Sequence, residues 1–173
     1  IFTNDDSLAN KLKMIANHGQ SKRYYHDLVG CNSRLDTLQA AILKIKLKNP
    51  DAYIGARRRA ADYYDKAFAN HPKISTPHRA SYSNHVFHQY TLILEGVDRD
   101  GLNKFLADHQ IPSMIYYPVP AHRQKMFDAF GGGNYILKTT DWLTERVVSL
   151  PIHTELDEEQ LKLITGKVLE FCK

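Results

Sequence analysis

The stretch VGCNSRLDTLQAAIL places an amide, Asn32, and a guanidinium, Arg34, at the start of a strongly helical run. A helix N-terminus presents unpaired N–H groups and the positive end of a dipole, so it favours anions. An arginine adds a fixed charge with a bidentate fork. Two readings fit these residues: a capped helix with a solvated arginine, and a site for an anion. The loop before them carries Lys22, Arg23, Tyr24, Tyr25 and His26, groups that suit phosphate or stack on a ring. A second stretch, MIYYPVPAHRQ, ends a strand with Tyr116 and Tyr117, stiffens the turn with Pro118 and Pro120, and follows with His122 and Arg123. It reads as a rigid polar turn at a site or as an ordinary strand exit. Gly131 to Gly133 do not make a phosphate loop, because no strand leads into them.

The elements that must position these groups follow from periodicity. Ile1 to Thr3 look like the end of a strand. Thr3 and Asp6 at capping-box spacing open a helix with Leu8, Leu12 and Ile15 on one face, stopped at Gly19. A helix is expected from about Ser33, with Asp36 completing a second capping box and an apolar stripe of Leu35, Leu38, Ile42 and Ile45. Pro50 breaks it and permits a new start. Residues 51–70 then form a long helix with Tyr53, Ala56, Ala60, Tyr64 and Ala67 on one side. Residues 71–84 read as loop. A strand is expected over His88 to Gly96, a short helix over 98–110 and a strand over 112–118. A helix from about Tyr135 to Val148 comes next. The last helix opens with Asp157 as N-cap, Gln160 at capping-box spacing, and Leu156 and Leu161 as a hydrophobic staple. A small sheet covered by helices, of α/β class, follows from this order.

The bulk numbers narrow the classes. The chain has 173 residues, is 43% hydrophobic and 24% charged, and carries a net charge of +4. The basic clusters, Lys44 to Lys48 and Arg57 to Arg59, lie in helical segments and read as solvated faces, not as a nucleic-acid surface. No apolar run is long enough for a bilayer, and no signal peptide is evident. Cys31 and Cys172 match no zinc or redox motif, which points to a reducing cytoplasm. No His pair stands at H-x-x-x-H spacing beside a carboxylate, so no metal is expected.

Three motifs carry a resemblance. NHGQSKRYYHDLVGCNSRLDTLQAA resembles the HG turn, loop and G-x-N-x-R-x-x-x-x-Q-A-A signature of the DegT/StrS family of pyridoxal-phosphate-dependent nucleotide-sugar aminotransferases. IPSMIYYPVPAHRQ resembles that family's Y-P-x-P-x-H segment, and SLPIHTELDEEQ its S-L-P-x-H-x-x-L segment. The resemblance covers the whole chain and is strongest to members acting on UDP-2-acetamido-2-deoxy-3-oxo-glucuronate, in surface polysaccharide synthesis. It implies a fold-type-I transferase in which residues 1–70 end the large cofactor domain with its interdomain helices and residues 71–173 form the small α/β domain.

The same resemblance implies roles. Asn32 binds the cofactor phosphate of the other subunit of a homodimer. Arg34, Tyr116, Tyr117 and His122 meet the nucleotide sugar, and Lys22, Arg23 and Tyr24 its diphosphate. Tyr116 stands where close relatives carry His. The Schiff-base lysine is expected upstream of Ile1, in a chain of about twice this length, so no catalytic residue falls within these residues; Lys11 and Lys13 sit in the following helix. Glutamate is the implied amino donor. Two alternatives stay open: a sugar dehydratase of the same family, and a non-catalytic sugar-nucleotide-binding or regulatory domain.

Overall fold

The computed structural model describes residues 1–173, apart from the side chains of residues 129, 130 and 132. The chain forms two compact units, Ile1–Pro50 and Asp51–Lys173. The helix that follows residue 50 buries Ala60, Ala61 and Tyr64 in the core of the second unit.

In the first unit, α1 (Asp6–Ala16) starts at Asp5, whose carboxylate accepts from the Leu8 N–H at 3.0 Å. The cap is therefore Asp5, not Thr3; the Thr3 hydroxyl instead accepts from the Asp5 N–H at 3.1 Å. Ile1 to Thr3 take no strand partner among the described residues. After α1 the chain turns through His18 (φ 58°) and Gly19 (φ 73°), and the Gly19 N–H closes on the Met14 carbonyl at 2.7 Å. A Cβ on Gly19 would lie 1.7 Å from the Leu28 carbonyl oxygen, and one on Gly30 would lie 2.2 Å from the Gly19 nitrogen. Two backbones therefore cross where only hydrogens fit. Between them the expected loop is a hairpin, β1 (Gln20–Lys22) and β2 (Tyr25–His26), with Lys22 opposite Tyr25.

Ser33 does not cap the next helix. α2 (Thr37–Lys46) is capped by Asp36, whose Oδ1 accepts from the Leu38 N–H at 2.8 Å and the Gln39 N–H at 3.2 Å. An aspartate accepting two N–H groups is the stronger cap, and it starts the helix later than the Ser33 spacing implies. Leu35, Leu38, Ile42 and Ile45 are all exposed, and α2 buries no side chain.

The second unit is built on a three-stranded antiparallel sheet, ordered β3 (Ile74–Ser75), β4 (Tyr90–Leu94), β5 (Val147–Leu150). β4 alternates: Tyr90, Leu92 and Leu94 are buried while Thr91 and Ile93 are half-buried. Each fully buried aliphatic side chain of this kind contributes about 1.5–3 kcal/mol. Tyr90 pairs with Leu150 and Ile93 with Val147. α3 (Pro50–Ala67), α4 (Arg99–Asp108) and α6 (Glu158–Phe171) supply Tyr64, Leu102, Leu106, Leu161, Ile164 and Val168 to the core. Phe105 and Phe171 meet at 5.3 Å where α4 crosses α6.

Three expectations fail here. The helix expected from Tyr135 to Val148 is the seven-residue α5 (Lys138–Thr144), and Val147–Leu150 is β5, buried at every position. The strand expected over 112–118 is one bridge, Met114 to Ser149, which covers the outer edge of β5. The loop expected over 71–84 contains β3. The arginine triplet is also not a plain solvated face. Arg58 Nε donates to the His85 carbonyl at 2.9 Å and its terminal nitrogen to the Asn84 carbonyl at 2.7 Å, strapping the loop before β4 to α3. The α6 capping box forms as expected, with Asp157 and Gln160 exchanging bonds of 2.8 and 3.1 Å.

Candidate functional site

The first candidate cluster is built by the last turn of α1. The Cys31 N–H donates to the Ile15 carbonyl at 2.8 Å, the Ser33 N–H to the Ala16 carbonyl at 3.0 Å, and the His18 N–H to the Cys31 carbonyl at 3.0 Å. Asn32, bridged to Asn17, is thus clamped from both sides. This explains the spacing of HG and G-x-N: the glycines allow the crossing that lays the Asn32 segment along the helix end. Asn32 precedes α2 by several residues, so the backbone of α1, not the dipole of α2, fixes its place.

Arg34 Nε donates to Asn32 Oδ1 at 2.9 Å. With its oxygen engaged, the Asn32 amide offers Nδ2, a pure donor. The terminal nitrogens of Arg34 keep a planar fork suited to a carboxylate. Both side chains are exposed. The pair is a donor set with no acidic group in its bonds, and it fits a phosphate and a carboxylate.

Lys22, Arg23 and Tyr24 share the hairpin turn. Tyr24 takes φ 70°, the Arg23 guanidinium lies 4.9 Å from its ring, and the Lys22 ammonium lies 5.2 Å from the Tyr25 ring. His26 Nδ1 donates to the His18 carbonyl at 2.8 Å and ties the hairpin to the HG turn.

The second cluster lies in the second unit. Tyr116 and Tyr117 meet edge to face at 5.9 Å; Tyr117 is 71% exposed. Tyr116 lines a cavity of about 270 Å³ with His88, Gln89, Met114, Ile152 and His153. His153 Nδ1 accepts from the Glu155 N–H at 3.1 Å, which leaves its proton on Nε2. Sequence reasoning gave no role to His88 or His153. Their signal was the convergence of the Y-P segment and the S-L-P-x-H segment, and the Met114–Ser149 bridge brings those two together. His122 does not line this cavity. It lies in the turn Ala121–Arg123, with Nε2 3.6 Å from Asp141 Oδ1. Among the described residues no group of three metal-ligating side chains occurs, and no helix is long and apolar enough to cross a membrane.

Comparison with known proteins decides what these signatures belong to. Residues 1–169 match the DegT/DnrJ/EryC1/StrS aminotransferase family. The chain belongs to that family. It is similar to the pleiotropic regulatory protein of Geobacillus stearothermophilus (39% identity, all of this chain and 46% of the relative). It is also similar to a UDP-N-acetyl-3-dehydro-alpha-D-glucosamine 3-aminotransferase of Acidithiobacillus ferrooxidans (40%, covering 95% of this chain and 43% of the relative). The UDP-2-acetamido-2-deoxy-3-oxo-D-glucuronate aminotransferase of Pseudomonas aeruginosa is 38% identical (95% and 44%). Among solved structures, S. venezuelae DesV in complex with ketimine intermediate superimposes with a TM-score of 0.85 at 32% identity, over 99% of this chain and 46% of that one. The α/β architecture is that of this aminotransferase family. The chain spans less than half the length of these relatives.

Proposed function

We propose that the intact protein containing this chain is a pyridoxal-5′-phosphate-dependent aminotransferase. It moves an amino group from glutamate to C3 of a UDP-linked 3-oxo-glucuronate derivative, in the cytoplasm and for surface polysaccharide synthesis. The observation that carries this reading is the Asn32–Arg34 pair, a preorganised donor set clamped to α1 in a chain that matches the family throughout.

Asn32 suits the cofactor phosphate, because its oxygen already accepts from Arg34 and its Nδ2 can only donate. When bound, pyridoxal phosphate supplies the electron sink for amino transfer. The lysine that would hold it covalently belongs to the part of the intact protein that this chain does not span. Arg34 orients Asn32 and reads the glucuronate carboxylate bidentately. Lys22, Arg23 and Tyr24 bind the nucleotide diphosphate, two cations and a ring on one hairpin turn. Tyr116, Tyr117 and His122 orient the sugar. The phosphate contact of Asn32 is made in the partner subunit of a homodimer. Residues 1–70 complete a large cofactor domain and residues 71–173 a small one.

The test is spectroscopic. Glutamate added to the purified intact protein converts the bound cofactor's absorbance, and the 3-oxo nucleotide sugar restores it with formation of the 3-amino sugar. A protein without a cofactor band overturns the reading. The relative named a pleiotropic regulatory protein, matched along the entire chain, favours a second reading as a regulatory domain. Nucleotide-sugar binding without a cofactor band would establish that one.

A further inference from the structure

We infer that Asp141 is a positioning residue for His122: its Oδ1 accepts a hydrogen bond from His122 Nε2–H and so fixes the ring and its tautomer. His122 follows Pro120, and its side chain is only 9% exposed although Arg123 beside it is 55% exposed. Asp141 lies in α5, held there by the bond from its N–H to the Leu137 carbonyl at 2.9 Å. Its two oxygens have different surroundings. Oδ2 accepts from a terminal nitrogen of Arg123 at 2.7 Å. Oδ1 is buried and, among the described residues, has no hydrogen-bond partner, while His122 Nε2 stands 3.6 Å away.

A competing arrangement exists. Arg123 Nε lies 3.4 Å from His122 Nε2, a contact that requires Nε2 to be unprotonated. The two arrangements exclude each other, because one nitrogen cannot both accept from Arg123 and donate to Asp141. Burial decides between them. Arg123 is more than half exposed, so its Nε can bond to water at little cost. The buried carboxylate oxygen has no such recourse and bears its whole desolvation cost if left unpaired. The proton therefore belongs on Nε2, and a small rotation of the imidazole closes the remaining gap. Asp141 then ties both side chains of the turn, His122 through Oδ1 and Arg123 through Oδ2, to α5. Its link to substrate rests on the proposed role of His122; the tautomer does not.

The test uses the intact protein labelled with ¹⁵N-histidine, observed at a pH well above the ordinary imidazole range, with the His122 signal identified by His122→Gln. In the unaltered protein His122 is the Nε2–H tautomer. Asp141→Asn is nearly isosteric. Its oxygen keeps Arg123 while its amide nitrogen donates to Nε2, so His122 switches to the Nδ1–H tautomer; the other histidine signals report that the fold is intact. Arg123→Gln removes the competing donor and leaves Nε2–H unchanged. An Nδ1–H tautomer in the unaltered protein, or no switch in Asp141→Asn, overturns the inference. In steady state, Asp141→Asn raises KM for the nucleotide sugar several-fold and leaves kcat/KM for glutamate alone. A tautomer switch without that KM change upholds the positioning and removes His122 from the substrate site proposed above.

Discussion

Arg34 Nε donates to Asn32 Oδ1 at 2.9 Å, so the two residues of the G-x-N-x-R signature are one hydrogen-bonded unit. The guanidinium that carries the charge holds the amide oxygen and leaves the amide nitrogen as a donor. Asn32→Ala removes a donor to a charged group and weakens cofactor retention by about 1.5–3 kcal/mol. Arg34→Ala costs less retention, because the amide can still turn toward the phosphate. The double variant falls short of additivity by about 0.5–1.5 kcal/mol. Cofactor dissociation constants for the four proteins check this; strict additivity would mean that the bond does no orienting.

The start of α2 gives a cleaner test of the local structure. Asp36→Ala removes an acceptor of two backbone N–H groups and costs about 1 kcal/mol in urea unfolding. Ser33→Ala, at the other possible cap, leaves the midpoint within experimental scatter. The reverse order would move the helix start back to Ser33.

Tyr90 and Tyr64 set the alkaline limit. The Tyr90 hydroxyl donates to Asp65 Oδ1, and Asp65 Oδ2 pairs with Arg79 at 2.6 Å. Burial, and then the bond to Asp65, hold the Tyr90 phenol well above its ordinary value; burial alone raises that of Tyr64. A raised folded-state value means that the unfolded chain loses these protons first. Their contribution is complete below about pH 10 and is lost as pH rises beyond it. Urea midpoints should fall steeply above that pH. Tyr90→Phe lowers stability by about 1.5–3 kcal/mol at neutral pH, since a charged acceptor loses its donor, and flattens the alkaline fall. An alkaline limb unchanged in both Tyr90→Phe and Tyr64→Phe would contradict this.

The elements that could be read from sequence were those with a local signature. The α6 capping box needs only Asp157 and Gln160 three residues apart, and β4 shows its alternation in five residues. β5 had neither. Val147 to Leu150 are buried at every position, so they show no period of two, and helix-like residues precede them. The hairpin over Gln20–His26 turns at Arg23 and Tyr24 instead of at an Asn-Gly pair, so its turn carried no signal. For the candidate site, type and spacing singled out Asn32 and Arg34 but left a capped helix and an anion site both open; the structure joins the two residues in one hydrogen bond. The clamp on α1, the cavity at His88 and His153, and Asp141 beneath His122 were not legible in the sequence. Each depends on contacts between segments far apart in the chain, such as the Arg123–Asp141 pair 18 residues apart.

The most direct test of the central claim is the single-turnover rate of each half-reaction in Arg34→Ala of the intact protein, at saturating cofactor and followed by cofactor absorbance. The glutamate half-reaction should keep its rate. The nucleotide-sugar half-reaction should lose roughly 2–5 kcal/mol of transition-state stabilisation, because a desolvated carboxylate loses its partner, and Arg34→Lys should restore only part of it. Equal loss in both halves would show that Arg34 merely holds the fold, and an unchanged rate with the glucuronate substrate would contradict the carboxylate role outright.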